Sequence, residues 1–324
     1  MNNSSEVGNH KIDNSEPILT TVRESIWLEE NDQPKLSLQV QRQNVSQLTV
    51  GDIIYVHGAT FGADLSIFYR FNKRSWADAM NDIGLTVWGF DFAGYGQSDR
   101  YLQNENQPAG RMVDVVQQLR RVVEAVQARN SNRPVSLVAH SWGASVAALY
   151  AGLYPQNLKS LVLFSPIVMR TTVSLKVQPI SHYPLTLLAQ YRRFVEDVPR
   201  NQPQVMSEVD FNAWAADYLA TDHSARERTP PSVMTPYGPV ADILTLWSGI
   251  ELYDSTQIVA PTLIIHGEWD SYCTDTDVNY LLSKLGSKDK TDVKIECATH
   301  LMHLETQRTT LYAKVNEFLK RTMK

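Results

Sequence analysis

Apolar residues follow two rhythms along this chain. Runs of strand length, apolar nearly throughout, recur at 52–57 (DIIYVH), 85–91 (LTVWGFD), 135–140 (VSLVAH), 160–164 (SLVLF), 262–266 (TLIIH) and 292–297 (DVKIEC). A strand buried on one face alternates with polar residues, so runs without alternation predict a sheet covered on both faces. Stretches 21–29 and 35–41 predict a hairpin ahead of them. Between the runs, apolar residues recur at helical spacing. Trp76, Met80 and Ile83 stop at Gly84, and Met112, Val115, Val116, Leu119, Val122, Val123 and Val126 make one broad stripe. Val278, Leu281, Leu282 and Leu285 precede Gly286, and Leu311, Val315, Phe318 and Leu319 line a last helix. Strand and helix in alternation predict an α/β fold with a mostly parallel central sheet and helices on both faces.

One interval breaks the alternation. From Phe164 to Thr262 there are roughly a hundred residues, far more than a crossover connection needs. It carries three stretches of helical pattern, SHYPLTLLAQYRRFVEDV, EVDFNAWAADYLATD and ADILTLWSGI, and a proline-rich joint, RTPPSVMTPYGP. The expected division is a disordered tail at 1–18, a core made of 19–166 and 257–324, and a mostly helical cap at 167–256.

Composition narrows the classes without choosing among them. Over 324 residues, 43% hydrophobic and 20% charged, the formal net charge is −5. That balance argues against a sequence-independent nucleic-acid surface. No run of eighteen apolar residues predicts a membrane span, and the polar opening MNNSSEVGNHKIDNSEP has no apolar segment of a secretory leader. Two cysteines, Cys273 and Cys297, make no disulfide framework and read as two buried thiols. A cytoplasmic location is the resulting expectation. Oligomeric state is not legible.

The chemistry begins at VSLVAHSWGASVAAL, residues 135–149. A strand that turns sharply into a helix brings the residues two before and two after the turn into contact, so small-x-Ser-x-small is a steric demand. Ala139 and Gly143 meet it around Ser141. The helix that follows aims its first amides at the serine, where the dipole favours negative charge. The Trp142 N–H is one expected donor to an oxyanion there. Gly58 in YVHGATFGAD admits close backbone approach, and the Ala59 N–H is the expected second donor. A serine nucleophile needs a base and an orienting acid. Asp270 follows the run PTLIIHG and His300 follows the last run, so all three groups fall at carboxyl ends of parallel strands, where such sheets build their sites. Glu268 is the alternative acid and His303 the alternative base. His57, His140 and His266 read as packing or turn residues. No cofactor and no metal are expected.

HGAT, DFAGYGQSD, AHSWGAS, PTLIIHGEWD and THLMHLE resemble, in order, the landmarks of the α/β-hydrolase fold over roughly residues 50–322. The resemblance implies a nucleophile elbow at Ser141, an acid in a Gly-x-x-Asp turn at Asp270, and a histidine opening a His-x₄-Glu stretch at His300. It implies a structural loop at Asp91, Gly94, Gly96 and Ser98, and a cap after Phe164. Ala139 stands where the elbow has its usual first glycine, and Thr299 where a glycine often precedes the histidine. Relatives that cleave carbon–halogen bonds or epoxides use aspartate at the elbow, so serine implies acyl chemistry.

The function expected is hydrolysis of a carboxylic ester or thioester, through an acyl-enzyme, on an apolar small or medium-sized substrate. Tyr183, Leu185, Leu188, Tyr191, Phe194, Trp214, Tyr218 and Trp247 are the aromatic and apolar stock from which the cap packs itself and lines a pocket. The alternatives are a proline-type aminopeptidase, a carbon–carbon bond hydrolase on the same three residues, and a non-catalytic receptor that keeps the pocket. The aminopeptidase needs a cap carboxylate for the substrate amine, with Glu196, Asp197, Glu208, Asp210 and Asp217 as the stock.

Overall fold

The computed structural model describes residues 21–44, 49–101, 106–171 and 175–323; the expected tail at 1–18 lies outside them. The chain opens with β1 (Thr21–Leu28), β2 (Leu36–Gln43) and β3 (Gly51–Val56), then α1 (Trp76–Asn81) and β4 (Leu85–Phe90). Ser75 caps α1 through a reciprocal pair with Asp78, which satisfies two orphan amides at that helix start. Next come α2 (Met112–Gln127), β5 (Val135–His140), α3 (Trp142–Leu153) and β6 (Leu158–Phe164).

The long interval then contributes β7 (His182–Thr186), α4 (Leu187–Val195), α5 (Glu208–Ala220), β8 (Ser232–Pro236) and α6 (Gly238–Trp247). Its first helical stretch is shorter than its sequence pattern. His182–Thr186 is a strand, paired antiparallel with Ser232–Pro236 inside the proline-rich joint. The helix begins only after Thr186, whose hydroxyl accepts from the Ala189 N–H. The chain returns through β9 (Thr262–Gly267), α7 (Asp275–Lys284), β10 (Lys290–Ile295) and α8 (Arg308–Met323).

Eight strands form one sheet in the order β1-β2-β4-β3-β5-β6-β9-β10. The β1–β2 and β2–β4 pairs are antiparallel and the other five are parallel. Strands β4, β5 and β9 are buried along their whole length, as their unbroken apolar runs require. One apolar core, with Val116, Leu119, Val123, Val146, Ala147 and Leu281, joins α2, α3 and α7 to one face of the sheet. A second, with Trp76, Met80, Leu311 and Val315, joins α1 and α8 to the other. A third lies in the inserted segment, where Phe194, Phe211, Trp214 and Tyr218 pack against Phe61 and Leu301 of the sheet loops. Among the described residues, no helix is long and apolar enough to cross a membrane.

The thiols differ from expectation in one respect. Both are free, and Cys273 is buried, but Cys297 is exposed on the turn after β10, with φ 53°.

Candidate active site

Ser141 stands between the end of β5 and the first residue of α3, with φ 57° and ψ −125°. A non-glycine residue in that region is strained by about 1–3 kcal/mol. Its neighbours hold it there, for the Ser141 N–H donates to the Phe164 carbonyl at 2.9 Å and its carbonyl accepts from Ala144 at 3.0 Å. Gly143 is required by space: a Cβ there would lie 2.1 Å from the His57 carbonyl oxygen. Gly58 is tight but less confined, since its Cβ would lie 3.0 Å from the His140 ring and 3.3 Å from the Ser141 Cβ.

His300 Nε2 lies 2.8 Å from Ser141 Oγ, and His300 Nδ1 lies 3.0 Å from each Asp270 carboxylate oxygen. Asp270 Oδ1 also accepts from the Tyr272 and Cys273 amides, at 2.9 and 3.0 Å. Burial pushes its carboxyl up, but contact with His300 and these hydrogen bonds outweigh that and hold it below the usual carboxylate range. Serine, histidine and carboxylate thus form one hydrogen-bonded line from solvent-excluded acid to cavity. Chemically, such a line moves a proton from a hydroxyl to an imidazole whose cation is stabilised behind it.

The alternatives fall elsewhere. Glu268 is exposed and accepts from the Cys297 amide at 2.9 Å. His303 is fully buried, stacked on Phe61 and near His140 and Phe164, with burial lowering its pKa to about 3. Neither of its ring nitrogens has a hydrogen-bond partner among the described residues. Burial lowers His57 to about 4, and His57 Nε2 accepts from the Phe92 amide at 3.0 Å. His140 is stacked on Phe164, and its Nε2 lies 3.0 Å from the His300 carbonyl. Burial and the neighbouring histidines hold it well below its ordinary value. His266, itself buried, meets Asp275 at 3.0 Å, away from the Ser141 line. Asp91 ties its own loop to the segment after β3, accepting from the Gln97 and Ala63 amides at 3.1 and 2.9 Å. A Cβ at Gly96, where φ is +47°, would lie 2.0 Å from that carboxylate.

Above Ser141 opens a cavity of about 280 Å³. The sheet side supplies Gly58, Ala59, Ser141, His300 and Tyr272, and the inserted segment supplies Tyr183, Leu185, Gln190, Arg193, Leu244 and Trp247. Ala59 therefore faces the space next to the serine, and Trp142 follows the serine as the first residue of α3. Among the described residues, neither amide N–H meets a main-chain acceptor. Of the eight residues of the inserted segment singled out from sequence, Tyr183, Leu185 and Trp247 reach the cavity. Tyr191, Phe194, Trp214 and Tyr218 pack together, and Leu188 is exposed.

Three residues near the site have no signature in the sequence. The Trp142 indole donates to the buried Asp242 carboxylate at 2.9 Å, which also accepts from the Met112 amide at 2.7 Å and pairs with Arg111. Arg170 pairs with Asp277 at 2.6 Å and donates to the Ser271 and Tyr272 carbonyls at 3.0 Å, so it clamps the loop that carries Asp270. Gln190 stands with Arg193 in a wall that is otherwise aromatic and aliphatic on the side of the inserted segment. In sequence Gln190 and Asp242 look like polar positions on helical stretches, and Arg170 like a polar residue in a connecting stretch.

Comparison with known proteins bears on fold and family. A family model described as serine aminopeptidase, S33, matches residues 69–307. An abhydrolase domain-containing protein of Caenorhabditis elegans, abhd-5.2, is 28% identical over 118 residues, which is 35% of this chain. The match spans 23% of that relative's length, less than a quarter. Among solved structures, the esterase EaEST from Exiguobacterium antarcticum superposes with a TM-score of 0.62 at 15% identity, over 92% of this chain and 100% of its own. Est1E from Butyrivibrio proteoclasticus, solved with ferulic acid, gives 0.59 at 16% identity, over 92% and 99%.

Proposed function

The chain belongs to the serine aminopeptidase S33 family of α/β hydrolases, and from that footing we propose that it hydrolyses carboxylic esters or thioesters through an acyl-enzyme on Ser141. The observation that carries this reading is the hydrogen-bonded line from Ser141 through His300 to Asp270 at the floor of the cavity. In the proposed mechanism His300 Nε2 takes the Ser141 proton as Oγ attacks the carbonyl. Asp270 orients the ring and stabilises its cation. The Ala59 and Trp142 amides, both without a main-chain partner, hold the oxyanion. His300 then returns the proton to the leaving group, and water, deprotonated by the same nitrogen, releases the acid. The inserted segment acts as the cap that shapes the acyl pocket.

The aminopeptidase alternative loses its anchor, because none of Glu196, Asp197, Glu208, Asp210 or Asp217 lines the cavity. A rate panel of esters, thioesters and proline anilides separates these chemistries. Ser141→Ala should cost about 10³-fold or more in kcat on whichever substrate is turned over. Full turnover by that variant would defeat the mechanism. Stoichiometric labelling of Ser141 by a fluorophosphonate, together with turnover, would exclude a pure binding role.

A further inference from the structure

Arg170 lies in the stretch between β6 and β7 and does not line the cavity. Its Nε and Nη2 both donate to the Asp277 carboxylate, at 2.9 and 2.6 Å, and this two-point grip fixes the guanidinium plane. Asp277 is itself held at the start of α7, where it accepts from the Thr274 amide and hydroxyl, each at 2.8 Å. The Arg170 main-chain N–H donates to the Leu246 carbonyl at 3.1 Å, and its guanidinium carbon lies 4.6 Å from the centre of the Trp247 ring. The residue is thus anchored to α6 and α7 together.

The same Nη2 also meets two carbonyls, those of Ser271 and Tyr272, each at 3.0 Å. These oxygens belong to consecutive peptide groups. The N–H ends of those two groups, on Tyr272 and Cys273, donate to Asp270 Oδ1 at 2.9 and 3.0 Å. Two peptide planes therefore stand between one guanidinium and the buried carboxylate. A peptide group polarised at its oxygen by a cation is a stronger donor at its nitrogen. A plane held at both ends also loses its freedom to turn. The terminal torsion of an aspartate is soft, so the carboxylate plane that His300 meets is set by its partners rather than by the side chain itself.

We propose that Arg170 is a positioning residue for the reaction. Through the Ser271–Tyr272 and Tyr272–Cys273 peptide groups it sets the plane of the Asp270 carboxylate against His300. It touches neither substrate nor reacting atoms. This rests on the reading of Ser141 as nucleophile and His300 as its base.

The test follows covalent labelling of Ser141 by an alkyl fluorophosphonate in wild type and Arg170→Met, separating the maximal rate kinact from the half-saturating concentration KI. Methionine keeps an apolar stem over Trp247 and removes the donors. kinact should fall about tenfold, as expected for the loss of a hydrogen bond made by a charged group, while KI stays within about twofold. In the same variant the low-field proton resonance of His300 Nδ1–H should move upfield or broaden as its bond to Asp270 loosens. A packing defect elsewhere would leave that resonance in place. An unchanged kinact, a change confined to KI, or an unchanged resonance would each overturn the proposal. If Arg170→Met does not fold, Arg170→Lys takes its place. Lysine keeps the charge but lacks the planar fork that grips Asp277 at two points while reaching both carbonyls. A kinact equal to the wild-type value in that variant would also overturn the proposal. Labelling of the wild type without any effect of the variants defeats this inference alone; a wild type that is not labelled defeats the nucleophile reading with it.

Discussion

Glu305 shows how a residue outside the reacting line shapes it. It is fully buried five residues after His300 and accepts from the Thr299 amide at 3.1 Å and from the Thr299 hydroxyl. These bonds fix the backbone immediately before His300. Burial raises its carboxyl from an ordinary value of 4.5 to about 7, against the lowering effect of Thr299. A raised acid is protonated in the fold while the unfolded chain has already released its proton. Its contribution to stability is therefore full below 4.5 and declines as pH rises towards about 7. The denaturant midpoint of the protein should fall between pH 5 and pH 7.5 more steeply than that of Glu305→Gln; parallel curves would contradict the assignment. At this scale sequence was informative where chain order constrained it. Ser141, Asp270 and His300 had type, order and strand-end position in common, and the structure brings those three together. Gln190 and Asp242, on helices, and Arg170, in the stretch after β6, carried no such constraint, because a lone polar residue reads as solvent-facing until its neighbours are known.

The turn from β5 into α3 is governed by steric exclusion. Gly143 approaches the His57 carbonyl so closely that any side chain meets fixed backbone rather than a flexible side-chain end. Gly143→Ala should therefore cost about 1–3 kcal/mol in chemical denaturation, the usual range for overpacking, and displace Ser141 from His300 with a loss of turnover. An alanine variant as stable and active as the parent would show that β3 and β5 separate freely. Elements buried on both faces were readable because their apolar runs leave no other reading, as in β4, β5 and β9. The β7–β8 pair was not. Its first strand is half-buried and its second largely buried, both contain proline, and the two come from segments some fifty residues apart. Periodicity carries no information about such a partner.

At the scale of the molecule, Asp242 couples the inserted segment to the core. From α6 it receives the Trp142 indole beside the elbow, the Met112 amide at the start of α2, and the Arg111 guanidinium. Asp242→Ala would leave these donors facing a buried gap, and a loss of about 3–5 kcal/mol is expected in thermal or urea unfolding. An unchanged midpoint would mean that the segment is held by apolar packing alone. The order of the chain has a consequence for biosynthesis. Ser141 is placed before the inserted segment, while Asp270 and His300 arrive on strands that follow it, with β9 seated beside β6. A nascent chain that has reached only the middle of the insertion already presents the nucleophile but neither of the groups that activate it. Under the proposed mechanism the ribosome-bound product is chemically silent towards cellular esters, and competence arrives in one step when the last sheet edge is laid down.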